Sequence, residues 1–211
     1  MFDIDGTLVD STGFDGALYA QAVREVLHVD VDETWQSYRN VTDSGILDEL
    51  LGQPQFGRSR EELRARVKRR FTELVHDYVA SRPQAVREIP GAKALLETLY
   101  TLPAVRVAVA TGGWLETATL KLTSIGCNLA TIASATSSDE LAKTRIMQLA
   151  EHRAMHGELP RTRTYFGDTN YDKRASAELG YRFIAVGRRV EHEHRFDDFA
   201  DREAVLACLG L

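Results

Sequence analysis

Between residues 90 and 186, short β-rich apolar runs alternate with stretches of helical periodicity. Pro90-Gly91 opens a helix that carries Leu95, Leu96 and Leu99. Residues 105–110 are a β-rich run ending at Thr111-Gly112-Gly113. A helix with Leu115, Ala118, Leu122 and Ile125 follows, and Gly126 suits its C-terminal stop. Residues 131–134 read as a short strand, 143–155 as a helix, and 164–166 as a strand leading into Gly167-Asp168. A helix near 171–179 and a strand over 182–186 complete the series. The expected fold is therefore α/β: a Rossmann-like, open, mostly parallel sheet with helices on both faces. Such sheets bind ligands at the carboxyl ends of their strands.

Residues 13–85 break the alternation and read as almost wholly helical. Phe14, Leu18, Ala22, Val23, Val26 and Leu27 recur at helical spacing. A second amphipathic helix is expected over 43–51. A third, over 59–79, carries Leu63, Val67, Phe71, Leu74, Val75 and Tyr78 on one face. The expected organisation is a core of residues 1–12 and 86–211 with a helical insertion, 13–85, after the first strand.

Asp3-Ile4-Asp5-Gly6-Thr7-Leu8 puts two carboxylates two residues apart, on one side of a strand. Where the chain bends at Gly6, both can reach one ligand. One can attack an electrophile while the other moves a proton. Two carboxylates this close repel, so a cation is expected nearby. Mg²⁺ is the default for hard oxygen donors. Asp3, Thr111 and Asp168 each sit where an expected strand gives out, so all three should converge in one crevice.

Asp3-Ile4-Asp5-Gly6-Thr7, then Thr111, then Lys143, then Gly167-Asp168 with Asp172, resembles the four-motif signature of the haloacid dehalogenase-like superfamily. The resemblance covers nearly the whole chain. The helical insertion is similar to that family's α-helical cap. The resemblance implies that Asp3 is a nucleophile, taking the phosphoryl group as an aspartyl-phosphate. It implies that Asp5 protonates the leaving alcohol and later activates water. Thr111, with backbone N–H groups such as that of Gly112, would hold the phosphoryl oxygens, and Lys143 would offset charge. Mg²⁺ would be held by Asp3, the main-chain carbonyl of Asp5, Asp168, and Asp172 directly or through water.

Relatives that cleave carbon–halogen bonds or phosphonates lack an acid at the position of Asp5. The resemblance thus implies a Mg²⁺-dependent phosphomonoester hydrolase of a small phosphorylated metabolite. Residues 5–11 look like the phosphoglycolate phosphatase branch, a likeness shared by many substrate classes. A phosphomutase of sugar phosphates is an alternative, although such mutases tend to carry a hydrophobic residue in place of Thr7. A non-catalytic phospho-acceptor signalling module is a remoter one. Such receivers lack an insertion of this size and do not start with Asp-x-Asp-Gly-Thr.

Several residues admit plainer readings. Lys143 starts a helix, where lysines are commonly solvated, and Lys121 and Lys173 are other core lysines. Asp172 could serve only as an N-terminal helix acid. Arg39, Thr42 and Asp43 lie in a loop between expected helices. Thr42 or Asp43 reads as a plain helix N-cap, or the loop as a substrate reader facing the site. Trp114 packs in the core or stacks on substrate. His192-Glu193-His194 lacks the i, i+4 spacing of a zinc motif and reads as a solvated loop. The basic run 64–70 reads as a solvated helix face.

Bulk properties narrow the class further. The 211 residues are 44% hydrophobic and 27% charged, as in a soluble globular protein. No apolar run approaches the roughly 20 residues that span a membrane. No secretory signal is visible, and Cys127 and Cys208 have no metal or redox spacing, which suits a reducing cytoplasm. A net charge of -5 argues against bulk nucleic-acid affinity. Oligomeric state is not legible. Only Met1 and Phe2 precede Asp3, about 7 Å of strand. An α-amino group inside the sheet would be costly. The expectation is that the natural chain begins several residues earlier.

Overall fold

The computed structural model describes residues 1–11 and 13–211, with Arg58 described by its backbone alone. Thr12, the expected last residue of the first core segment, lies outside the described residues. In chain order the elements are β1 (Val9–Asp10), α1 (Asp15–Leu27), α2 (Asp43–Leu51), α3 (Arg60–Ser81) and β2 (Arg87–Glu88). Then follow α4 (Ala92–Tyr100), β3 (Ala108–Ala110), α5 (Leu115–Ser124), β4 (Ala133–Ala135) and α6 (Lys143–Met155). The chain closes with β5 (Thr164–Gly167), α7 (Asn170–Leu179), β6 (Arg182–Val186), β7 (Arg195–Phe196) and α8 (Arg202–Leu209).

Residues 1–3 run between β3 and β5 and join them into one parallel sheet. Phe2 N–H donates to Ala108 O and Ala110 N–H to Phe2 O, both at 2.9 Å. On the other side Asp3 N–H reaches Phe166 O and Phe166 N–H reaches Met1 O, also at 2.9 Å. The order is β4, β3, residues 1–3, β5, β6, β7, parallel throughout. The α-amino group of Met1 donates to Thr164 O at 2.9 Å, and burial lowers its pKa to about 5.

Side chains alternate across this sheet and make two cores. Val109, Phe166, Ile184 and Val186 face α4, α5, α8 and the helices of 15–81. Ala108, Ala110, Tyr165, Phe183 and Ala185 face α6 and α7. Strands buried on both faces carry apolar residues at successive positions, which explains the runs in the sequence. Phe2 stacks on Phe166 at 4.6 Å, with Phe199 edge-on to both. Burying one such ring contributes about 1.5–3 kcal/mol.

The expected helices 43–51 and 143–155 form with those bounds. The strand expected over 105–110 is shorter, because only Ala108–Ala110 has ladder partners, opposite Phe2 and β4. The segment 13–85 is not wholly helical. Residues 28–42 are turns and irregular chain. There Asp32 accepts from the Thr34 N–H and hydroxyl and from Ser37 N–H, a local alternative to helical bonding. Short β7 and α8, and the antiparallel pair β1–β2, leave no sequence period long enough to read. Among the described residues, no helix is long and apolar enough to cross a membrane.

Candidate active site

The carboxyl ends of the central strands bring the motif residues together. Asp3 ends the central segment, and the chain then turns tightly, with Thr7, Leu8 and Val9 N–H all aimed at Ile4 O. The turn needs Gly6, whose φ is +75°. A Cβ there would lie 2.1 Å from Asp168 Oδ2. Gly6→Ala should therefore displace Asp168 and strain the turn by at least about 1 kcal/mol. Turnover should fall about a hundredfold or more, since a displacement of about 1 Å at the chemistry has that effect. A variant with wild-type kcat and melting temperature would refute this close approach.

Lys143 is the first residue of α6 and is 3% exposed. Its Nζ lies 2.8 Å from Asp3 Oδ1 and 3.0 Å from Asp172 Oδ1. Burial alone would lower its pKa, but Asp172 and Asp3 outweigh that and hold the ammonium well above its ordinary value. Asp172 is the third residue of α7 and closes a capping box with Thr169. Its Oδ2 accepts the Thr169 hydroxyl at 2.5 Å and N–H at 3.2 Å. Both plain readings of Asp172 and Lys143 thus give way: the acid caps its helix and faces the crevice, and the lysine is buried.

Asp168 follows β5. Its Oδ2 accepts from Arg189 Nη1 at 3.1 Å, while its buried Oδ1 has no hydrogen-bond partner among the described residues. Oxygens of Asp3, Asp168 and Asp172 lie within 4.8 Å of one another. Burial pushes Asp3 up to about 7, opposed by Lys143 and reinforced by Asp172. Burial and the neighbouring acids push Asp168 up to about 8. Three crowded carboxylates with one orphaned oxygen fit a hard divalent cation such as Mg²⁺.

Asp5 faces a different environment. Its Oδ1 accepts from Lys121 Nζ at 2.6 Å and from the Ser11 hydroxyl. Its Oδ2 lies near Gly113. Lys121, on α5 and 1% exposed, also sits 2.7 Å from Asp15 Oδ1. Burial would lower the Lys121 pKa, yet Asp15 and Asp5 raise it above the ordinary value. Lys121 and Ser11 thus hold Asp5 Oδ1 apart from the three-acid cluster.

Thr111 follows β3 directly, and its Oγ1 accepts from Gly113 N–H at 3.1 Å. Gly112 O accepts from Asp43 N–H at 2.8 Å, and Asp43 Oδ2 accepts from Trp114 N–H at 2.9 Å. Thr42 is the N-cap of α2, accepting from Gly45 N–H, and its hydroxyl donates to Leu141 O at 2.6 Å. The loop before α2 is therefore fastened to the turn after β3. Arg39 does not join the site. It is exposed, because its N–H and that of Asn40 both bind Glu49 and hold this stretch against α2. Trp114 is a core residue: its indole donates to Ser44 at 2.6 Å and packs on Tyr19 and Phe71.

The motif residues gather around one cavity of about 340 Å³. Asp3, Asp5, Thr111, Lys143, Asp168 and Asp172 form its floor. Asp15, Tyr19, Trp35, Asp43 and Ile46 form the facing wall, and Arg189 lines it as well. Sequence reasoning missed Lys121, Asp15 and Arg189. Lys121 did carry a signal, since it sits beside Ala118 and Leu122 on the apolar face of α5. His192-Glu193-His194 does not line this cavity: His192 Nδ1 meets His194 N–H at 3.2 Å, the His192 ring packs edge-on against Phe183, and His194 O accepts from Ala185 N–H. In the basic run, Arg64, Lys68 and Arg70 pair with Asp48, Glu116 and Glu25.

The family model for haloacid dehalogenase-like hydrolases matches residues 1–186. The chain belongs to that family. A search of curated proteins finds no match. Among solved structures, a hydrolase from Pseudomonas syringae superposes with TM-score 0.74 at 19% identity, covering 99% of this chain and 97% of that one. CbbY from Rhodobacter sphaeroides, in complex with phosphate, gives 0.67 at 19% identity, covering 95% and 93%. A predicted phosphoglycolate phosphatase from Haemophilus somnus 129pt gives 0.61 at 19% identity, covering 97% and 95%. At these identities the superpositions establish the fold.

Proposed function

We propose that the protein hydrolyses the phosphomonoester of a small metabolite, with Asp3 as nucleophile and Mg²⁺ as cofactor. The observation that carries this is the division of the two aspartates. Asp3 points into the acid cluster beside Lys143, and Asp5 points to Lys121 and Ser11. Two carboxylates in two environments suit two roles. Asp3 attacks phosphorus and the ester oxygen leaves, taking a proton from Asp5. Asp5 then removes a proton from the water that releases phosphate from the aspartyl-phosphate. Thr111 Oγ and the N–H of Gly112 bind phosphoryl oxygens, and Lys143 neutralises charge on Asp3 and the transferred group.

Asp3, Asp168, the Asp5 carbonyl and Asp172, directly or through water, would hold Mg²⁺. When bound it supplies the positive charge that lets the phosphoryl dianion approach Asp3.

Residues 13–85 act as the cap over a core of 1–12 and 86–211. Its contacts across the cavity support this: Asp43 with Gly112 and Trp114, and Thr42 with Leu141. The closed cap keeps water out of the first transfer. The substrate is a small phosphorylated molecule, in keeping with the cavity volume and with the phosphate bound by the similar CbbY structure.

Purified protein should release phosphate from p-nitrophenyl phosphate in Mg²⁺. EDTA should abolish release and excess Mg²⁺ restore it. No release with any divalent cation would overturn the reading.

A further inference from the structure

We infer that the alcohol released by this enzyme carries an ammonium group, read by Asp43 and Asp15 with the rings of Tyr19 and Trp35. The inference rests on the phosphatase reading and adds the substrate class. The cavity has two halves of unlike chemistry. Lys143 and Arg189 both stand on the phosphoryl side, with the acid cluster. On the leaving-group side the wall is Asp15, Tyr19, Trp35 and Asp43. Among the described residues, no lysine or arginine side chain from 13–85 lines the cavity. Lys121 stands behind this wall, spent between Asp5 and Asp15. With Asp5 carrying the proton it delivers to the leaving group, Lys121 and Asp15 balance, and an ionised Asp43 leaves this wall one net negative charge. A carboxylate or second phosphate on the leaving group would meet like charge.

Hydrogen-bonding capacity points the same way. The Tyr19 hydroxyl is committed to Asp43 O at 2.7 Å, the Thr42 hydroxyl to Leu141 O, and the Trp114 indole to Ser44. Asp43 Oδ2 is occupied by Trp114 N–H, while Oδ1 has no hydrogen-bond partner among the described residues. The carboxylates of Asp15 and Asp43 are the acceptors of this wall and the Trp35 indole N–H is a donor beside them; an ammonium, all donor, matches the carboxylates. Burial and the nearest acids hold the Asp43 carboxyl well above the usual range. An adjacent ammonium is the charge that would ionise it.

The rings suit a cation as well. Tyr19 and Trp35 meet edge to face at 6.1 Å. A Cβ on Gly16 would lie 3.0 Å from Trp35 Cζ2, so the bare α1 backbone leaves room for the indole. Carboxylates with aromatic faces are the usual recognition set for ammonium groups.

The test compares kcat/KM for 2-aminoethyl phosphate with propyl phosphate, its neutral isostere, and with carboxymethyl phosphate and glycerol 3-phosphate. The aminoethyl ester should exceed each by about tenfold or more, chiefly through KM. Asp43→Asn should collapse the aminoethyl-to-propyl ratio, whereas a purely structural role would lower both esters alike. If that variant misfolds, Trp35→Leu gives the same readout. Hydrolysis of p-nitrophenyl phosphate without an ammonium preference, or with the glycerol ester preferred, overturns this inference and leaves the phosphatase reading intact. No hydrolysis of any ester overturns both.

Discussion

Asp3→Asn should reduce phosphate release about a thousandfold or more, while raising the melting temperature of the metal-free protein at pH 8. The first effect follows from removing the attacking oxygen, since losing a nucleophile costs at least this much. The second follows from burial. Asp3 titrates near 7 in the fold against an ordinary value of 3.8. Between those values the folded state binds more protons than the unfolded one, so stability falls as pH rises through this window. Above pH 7 the full cost of the buried charge is present. Asparagine carries no such charge, and Lys143 keeps Asp172 as partner. Turnover assays and thermal melts in EDTA at pH 8 check both parts. Wild-type turnover in the variant would sink the nucleophile assignment.

Lys143→Met should be the opposite case, losing both activity and stability. The substitution leaves Asp3 and Asp172 buried without their shared cation. Removing one member of a buried ion network costs about 3–5 kcal/mol. For a chain of this size that is on the order of 10 °C in melting temperature. The loss should be larger at pH 8 than at pH 5, because the Asp3 carboxyl, pushed up to about 7, is protonated at the lower pH and no longer needs the ammonium. Mg²⁺ should recover part of the stability by binding only the folded state, and little of the activity. Melts at both pH values, with and without Mg²⁺, test this. An unchanged melting temperature at pH 8 would mean that Lys143 is not the buried counter-ion.

The expected site was legible in part because strand ends are legible. Asp3, Thr111 and Asp168 close apolar runs, and in a parallel sheet the ends of neighbouring strands gather at one edge. Lys143 and Asp172 were readable through the order of the motifs, since a helix start alone, where α6 begins at Lys143, also suits a solvated lysine or a capping acid. Arg39 was misplaced because a loop's direction depends on its partners. Glu49 binds its backbone and keeps it at the surface. The irregular stretch 28–42 likewise follows from side-chain-to-backbone bonds at Asp32 rather than from any periodicity.

Periodicity and motif order alone determined the α/β class, the two faces of the sheet's helices and the identity of the acids at strand ends, because those depend on neighbours in the chain. Tertiary structure alone decided how the charges are shared. It set Lys143 between Asp3 and Asp172, and Lys121 between Asp5 and Asp15. It also brought Tyr19, Trp35 and Asp43 to the wall opposite the nucleophile. Those pairings join residues as much as 140 positions apart. Burial gives them their strength, and burial is a property of the packed molecule rather than of any local segment.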